Sequence, residues 1–154
     1  MNSGTRHILK WPLVVTAIVI VARVVVERAG APDNVSNLFS AVALHLVIVP
    51  LYFAIRIGTS SMRRPYLIQL KLVTLFVVLT RAMVIPVYWL AHILGWQQQR
   101  FGGLGPSVSP FTAYVVNPFG TAGFWILASI VVGTVLGSVL IALTSRVYAP
   151  ERQT

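Results

Sequence analysis

Arg81 and His45 are the residues of this chain best placed to do chemistry, because each lies near the middle of a long apolar run. A guanidinium at mid-bilayer costs from about 3 to more than 10 kcal/mol, depending on the reference, so it turns towards a partner or a cavity rather than lipid. The chain has three carboxylates, Glu27, Asp33 and Glu151, and each falls at or beyond the end of a hydrophobic segment. None therefore shares the depth of Arg81. What satisfies Arg81 is the central functional question.

Helical spacing gathers further polar residues around these two. Thr74, Arg81 and Tyr88 stand seven apart and His92 follows four later. Residues seven apart differ by only about 20° around a helix, so these four form one stripe. His45, Tyr52 and Arg56 share a face with Ala41, and Thr16, Arg23 and Glu27 share another. Polar groups in lipid turn inward, so the three stripes should converge. A rise of about 1.5 Å per residue sorts them by depth. Arg23, Glu27, Tyr88 and His92 belong to an outer layer, where Glu27 pairs with Arg23 one turn away and can also accept from His92. His45 and Arg81 share the middle, with Tyr52 about 10 Å nearer the cytoplasm.

This constellation fits three chemistries. In the first, Arg81 is structural: Pro86 and Pro50 free the carbonyls of Ala82 and Leu46 to accept from the guanidinium, with water or snorkelling completing its solvation. In the second, Arg81 and His45, with Tyr52, Tyr88, Arg23, Glu27 and His92, hold the anionic or carbonyl head of an apolar ligand such as a fatty acid or quinone. In the third, a histidine carries haem b as an electron-transfer centre. A separation of some 10 Å along the bundle disfavours one haem bridging His45 and His92, which leaves a single-histidine haem or a haem shared with another subunit. Otherwise no cofactor is expected. No metal constellation is present either, because there is no cysteine, no His–Glu pair at helical spacing, and His7 lies at the opposite end of the bundle. No span offers a carboxylate for acid–base work, a nucleophile–base spacing or a phosphate loop, so there are no catalytic candidates and the chain is read as non-enzymatic.

Composition sets the class of protein that must position these residues. The 154 residues are 56% hydrophobic and 10% charged, with a mean hydropathy of +0.81. Soluble domains carry about 25% charged residues, so this is an integral membrane protein. The net charge of +9 does not indicate nucleic-acid binding, since the cations are spread over span ends rather than gathered on a soluble face.

Four apolar runs have the length a bilayer requires, at residues 8–26, 35–57, 67–96 and 119–147. Gly30, Pro32 and Asp33 break the chain after the first, with Asp33 or Ser36 as the expected N-cap of the second. Ser60, Ser61 and Pro65 form the next turn, and residues 97–118 form the longest connection. The expected fold is all-α: a single transmembrane domain over 1–154, arranged as a four-helix bundle. Arg6, Lys10, Arg56, Arg63, Arg64, Lys71, Arg146 and Arg152 fall on one side, against Arg28 and Arg100 on the other. That bias places both termini in the cytoplasm and residues 97–118 outside, in a multi-pass protein of a bacterial-type inner membrane. Arg6 and Lys10 before the first apolar run, with Ala29-Gly30-Ala31 after it, imitate a signal peptide. Arg23 inside the run and Pro32 after it favour an uncleaved span.

The fourth run has no charge before Arg146 and carries Ser129, Gly133 and Gly137 at intervals of four, a pattern that lets another helix approach closely. Internal packing is the favoured use, with a partner subunit or a second copy as the alternative. Phe101, Phe111, Tyr114 and Phe119 make the 97–118 loop apolar enough to lie on the membrane surface with Trp96, as Trp11 and Tyr148 do at the other face. The spans show neither an inverted repeat nor a pair of broken helices of the kind many carriers use. The leading expectation is a structural or accessory subunit whose partners are the lipid bilayer and other membrane helices. The ligand-binding bundle is the alternative and the haem protein the third reading.

Overall fold

The computed structural model describes residues 3–60, 62–96 and 108–147, and side chains within 7–32, 34–60, 62–96 and 108–146. Arg100, Phe101, Tyr148, Glu151 and Arg152, and the side chains of Arg6 and Asp33, lie outside the described set. Among the described residues the chain is helical without strands. Four helical stretches are long and apolar enough to cross a membrane: His7–Arg28, Asn34–Gly58, Pro65–Ile93 and Thr112–Arg146.

The first span is one helix, α1 (Ser3–Arg28). Gly30 follows at φ 82°, a left-handed turn that a side chain would strain, and it reverses the chain within a few residues. The third span is α5 (Pro65–Ile93), which opens with proline where the missing N–H costs nothing, after Arg64 at φ 59°. It ends before Gly95, at φ 62°.

The second span differs from the continuous helix expected over 35–57. It is built from α2 (Asp33–Ser36), a tight turn over Asn37–Phe39, the extended residue Ser40, α3 (Ala41–Ala43), a wide π turn over Leu44–Ile48, and α4 (Val49–Gly58). Ser36 makes no capping hydrogen bond; Ser40 does so, accepting from the amide of Val42 at 3.3 Å. The break answers to a physical constraint, because non-helical backbone at membrane depth is tolerated where it is buried in protein or lines a cavity.

The fourth span also begins earlier than the sequence suggests. Helix starts at Pro110 and passes through a π turn over Thr112–Val116 into α6 (Asn117–Val147), so the connection expected at 97–118 is helical over its last nine residues. Both π turns stand in the same relation to a proline: Leu44–Ile48 precedes Val49-Pro50, and Thr112–Val116 precedes Asn117-Pro118. Proline cannot donate to the helix and its ring crowds the carbonyl four residues back. One wide turn just ahead of it relieves both defects.

Two cores hold the bundle, one near each end. At the end with the chain termini, Ile8, Leu9, Phe53, Ile57, Leu72, Val73, Phe76 and Ile141 pack together. At the other end Tyr88, Ala91, Trp96 and Ala113 form a smaller group. The groove on α6 is occupied from inside the molecule. A Cβ on Gly133 would lie 2.7 Å from the Pro50 ring, and one on Gly137 would collide with the Gln69 amide. Gln69 is fully buried there and donates to the carbonyls of Pro50 at 2.9 Å and Gly133 at 3.4 Å. Gly58 meets Thr144 in the same manner. Gly133 and Gly137 are therefore internal packing positions, between the second, third and fourth spans.

Candidate ligand-binding site

The site grows out of one buried relay. Arg81 projects from the middle of α5 and is only 5% exposed. Its Nη2 meets Nε2 of His45, which the π turn of the second span carries. His45 in turn meets Ser129 Oγ of α6 through Nδ1, at 2.5 Å. Arginine has donors only, so His45 Nε2 must accept, and its remaining proton sits on Nδ1 and goes to Ser129. Three spans are thus tied at one level by a donor chain that starts from a permanent cation and contains a neutral imidazole. The Trp125 ring completes the wall, 5.7 Å from Arg81 Cζ and edge-on to His45 at 6.0 Å between centroids. That contact is a cation–π interaction, worth about 0.5–2 kcal/mol.

Arg81 is not fully satisfied by these groups. Among the described residues its Nε has no hydrogen-bond partner, and no carboxylate lies within ion-pair distance. The carbonyls of Ala82 and Leu46 are not its partners; the accepting group is the imidazole. Snorkelling is ruled out by burial. The charge thus remains uncompensated at a depth where an opposite charge 4 Å away would contribute about 4 kcal/mol even at an effective dielectric of 20.

Arg81 lies at one wall of a cavity of about 360 Å³. Ile20 and Arg23 of α1 line it, with Asn37, Phe39, Ser40 and Ala41 of the broken second span, Tyr88 of α5, and Thr121 and Trp125 of α6. The volume lies within the roughly 300–1,000 Å³ range of small-molecule sites. The break in the second span supplies one wall, which explains how its irregular backbone is accommodated. A second guanidinium stands at this cavity: Arg23 donates to Glu27 Oε1 at 2.9 Å and to Asn37 Oδ1 at 3.0 Å. Glu27 is buried, so this ion pair offsets the Arg23 charge within α1.

Other sequence candidates fall elsewhere. Tyr52 is 37% exposed and lies tilted against the Phe53 ring, away from the cavity at Arg81. The π turn is the reason, since its extra residue rotates everything after it by about a quarter turn or more. Phe53, not Tyr52, inherits the inward direction and is fully buried. Arg56 is exposed for the same reason. His92 is held edge-on by Tyr114, with ring centroids 5.0 Å apart, and does not line the cavity. Both His45 nitrogens are engaged, so in this arrangement it offers no lone pair to iron. No group of three metal-ligating side chains exists among the described residues. Ser129 and Trp125 were not expected at the site. Ser129 reads as a small packing residue, and only its spacing from Gly133 in a charge-free span drew attention to that face.

Compared with known protein families, curated proteins and solved structures, the chain matches no family model, no curated protein and no solved structure.

Proposed function

We propose that this protein is a non-enzymatic membrane protein that binds an amphiphilic ligand, holding its polar head in the cavity beside Arg81. The observation that carries this reading is a buried guanidinium, without a carboxylate partner among the described residues, at the wall of a cavity of about 360 Å³. Intramembrane charge is costly and marks functional sites by default. His45, Ser129 and Trp125 hold the guanidinium still, as a binding donor requires. No partner helix is needed in the small-residue groove of α6, which Pro50 and Gln69 fill from inside the molecule.

The bilayer is the immediate partner, and the described charges favour one orientation in it. Lys10, Arg56, Arg63, Arg64, Lys71 and Arg146 are exposed at the end with the termini, whereas Arg28 packs over Trp96 at the other, 5.2 Å from its ring. The bias favours cytoplasmic termini in an inner membrane, with the cavity towards the outer leaflet. Reporter fusions after Thr154 and within residues 97–107 should give opposite sidedness.

The binding reading is tested by purifying the protein from native membranes in parallel with Arg81→Met and analysing both by mass spectrometry for small molecules. An amphiphile should accompany the parent chain and be lost from an otherwise folded variant. Identical small-molecule content in the two would overturn the reading.

A further inference from the structure

We infer that the cavity selects a head group carrying one negative charge, a carboxylate or a phosphodiester, over a neutral carbonyl and over a dianion. This rests on the binding reading above and adds the sign and size of the ligand's charge.

The charges around the cavity do not cancel. Arg23 and Arg81 contribute two positive charges to its wall. Glu27 returns one negative charge through its ion pair with Arg23. His45 contributes none, because accepting from Arg81 at Nε2 and donating to Ser129 at Nδ1 is the pattern of the neutral ring. Among the described residues one positive charge is left, and it is on Arg81. The Trp125 face spreads that charge without cancelling it. A neutral ester or quinone carbonyl supplies a hydrogen-bond acceptor but no countercharge. A dianion brings one charge too many into a low-dielectric site. A monoanion leaves the cavity neutral, with two oxygens for the guanidinium donors, a geometry that suits the planar guanidinium fork.

The test compares four probes with the same twelve-carbon tail, in the full-length protein in neutral nanodiscs at pH 8. They are dodecanoate, dodecyl methyl phosphate, methyl dodecanoate and dodecyl phosphate, which is mostly dianionic at that pH. Dodecanoate, dodecyl methyl phosphate or both should bind at least tenfold more tightly than the ester and the dianion. The stronger of the two identifies the source as a fatty acid or a phospholipid-type head. Arg81→Gln should erase the advantage of the monoanions over the ester. Glu27→Gln, which leaves two positive charges, should shift preference towards dodecyl phosphate. If Glu27→Gln fails to fold, the Arg23→Gln/Glu27→Gln pair restores a single charge and should retain the parent preference. Equal binding of ester and dodecanoate would overturn the charge selection while leaving a binding protein. Absence of binding by every probe would instead remove the binding reading itself.

Discussion

Arg81 Nη2 donates to Nε2 of His45, and that one contact decides which ring nitrogen of His45 keeps its proton. The imidazole becomes an adaptor, accepting from a cation on α5 and donating to a hydroxyl on α6. It links three spans at one depth without a carboxylate. Two energetic consequences can be separated: the cost of burying the Arg81 charge, and the value of the hydrogen bonds that hold it.

Removing the charge should be easier for the fold than removing its partner. Arg81→Met takes the desolvation cost away with the guanidinium and leaves His45 bonded to Ser129. Buried charges replaced by packed apolar groups are often neutral or stabilising by about 1–4 kcal/mol. His45→Phe instead leaves a charged donor buried without its acceptor, at a cost of about 1–3 kcal/mol or more. The double variant should recover most of that loss. Thermal unfolding of the four proteins in one detergent measures the coupling, and independent, additive effects would refute the relay.

Ser129→Ala probes the far end of the relay. It orphans the Nδ1–H of a fully buried imidazole and should lower stability by about 1–3 kcal/mol. A side chain that served only to keep the helices close would tolerate alanine, since the two are similarly small. A melting temperature equal to that of the parent would assign Ser129 to packing alone.

Two α6 glycines should respond with opposite signs. At Gly133 a new Cβ meets the rigid Pro50 ring at 2.7 Å, and overpacking of this kind costs about 1–3 kcal/mol. At Gly123 a Cβ meets nothing within 4 Å, so alanine should stabilise the helix by up to about 1 kcal/mol. Melting temperatures of Gly133→Ala and Gly123→Ala should fall on either side of the parent. Equal tolerance at both positions would mean that Gly133 does not sit in a closed groove.

How much of this was legible beforehand depends on whether helical phase stayed regular. In α1 and α5 it did, and Thr16, Arg23, Glu27, Arg81 and Tyr88 face inward as their spacing predicts. The match of His45 to Arg81 followed from depth alone, which the local break at Ser40 does not disturb. Tyr52 was misplaced because counting by sevens assumes 3.6 residues per turn across a π turn. The early start of the fourth span was hidden by Pro110 and Pro118, which read as loop residues until the wide turn between them is seen. Ser129 and Trp125 carry no charge and gave no reason to be singled out as partners of His45 and Arg81.

The π turn makes a last prediction possible, because it behaves as a one-residue insertion in an otherwise regular helix. Taking one residue out of Leu44–Ile48 should return the segment to α-helical phase and leave both flanks facing as they do now. Val47 is the residue to remove, since it points outward at 41% exposure and makes no side-chain hydrogen bond among those described. Pro50 must change with it, because in an unbroken helix its ring would crowd the carbonyl four residues back, costing about 3 kcal/mol. Deletion of Val47 combined with Pro50→Ala should therefore yield a folded protein, measured by monodisperse elution and a cooperative melt. Deletion of Val78, equally outward-facing but in the regular part of α5, should not, because every inward residue on one side of it would rotate by about 100°. Arg81 would then leave the level and face of His45. If the two deletions behave alike, the wide turn is not an inserted residue, and the displacement of Tyr52 from the site needs another cause.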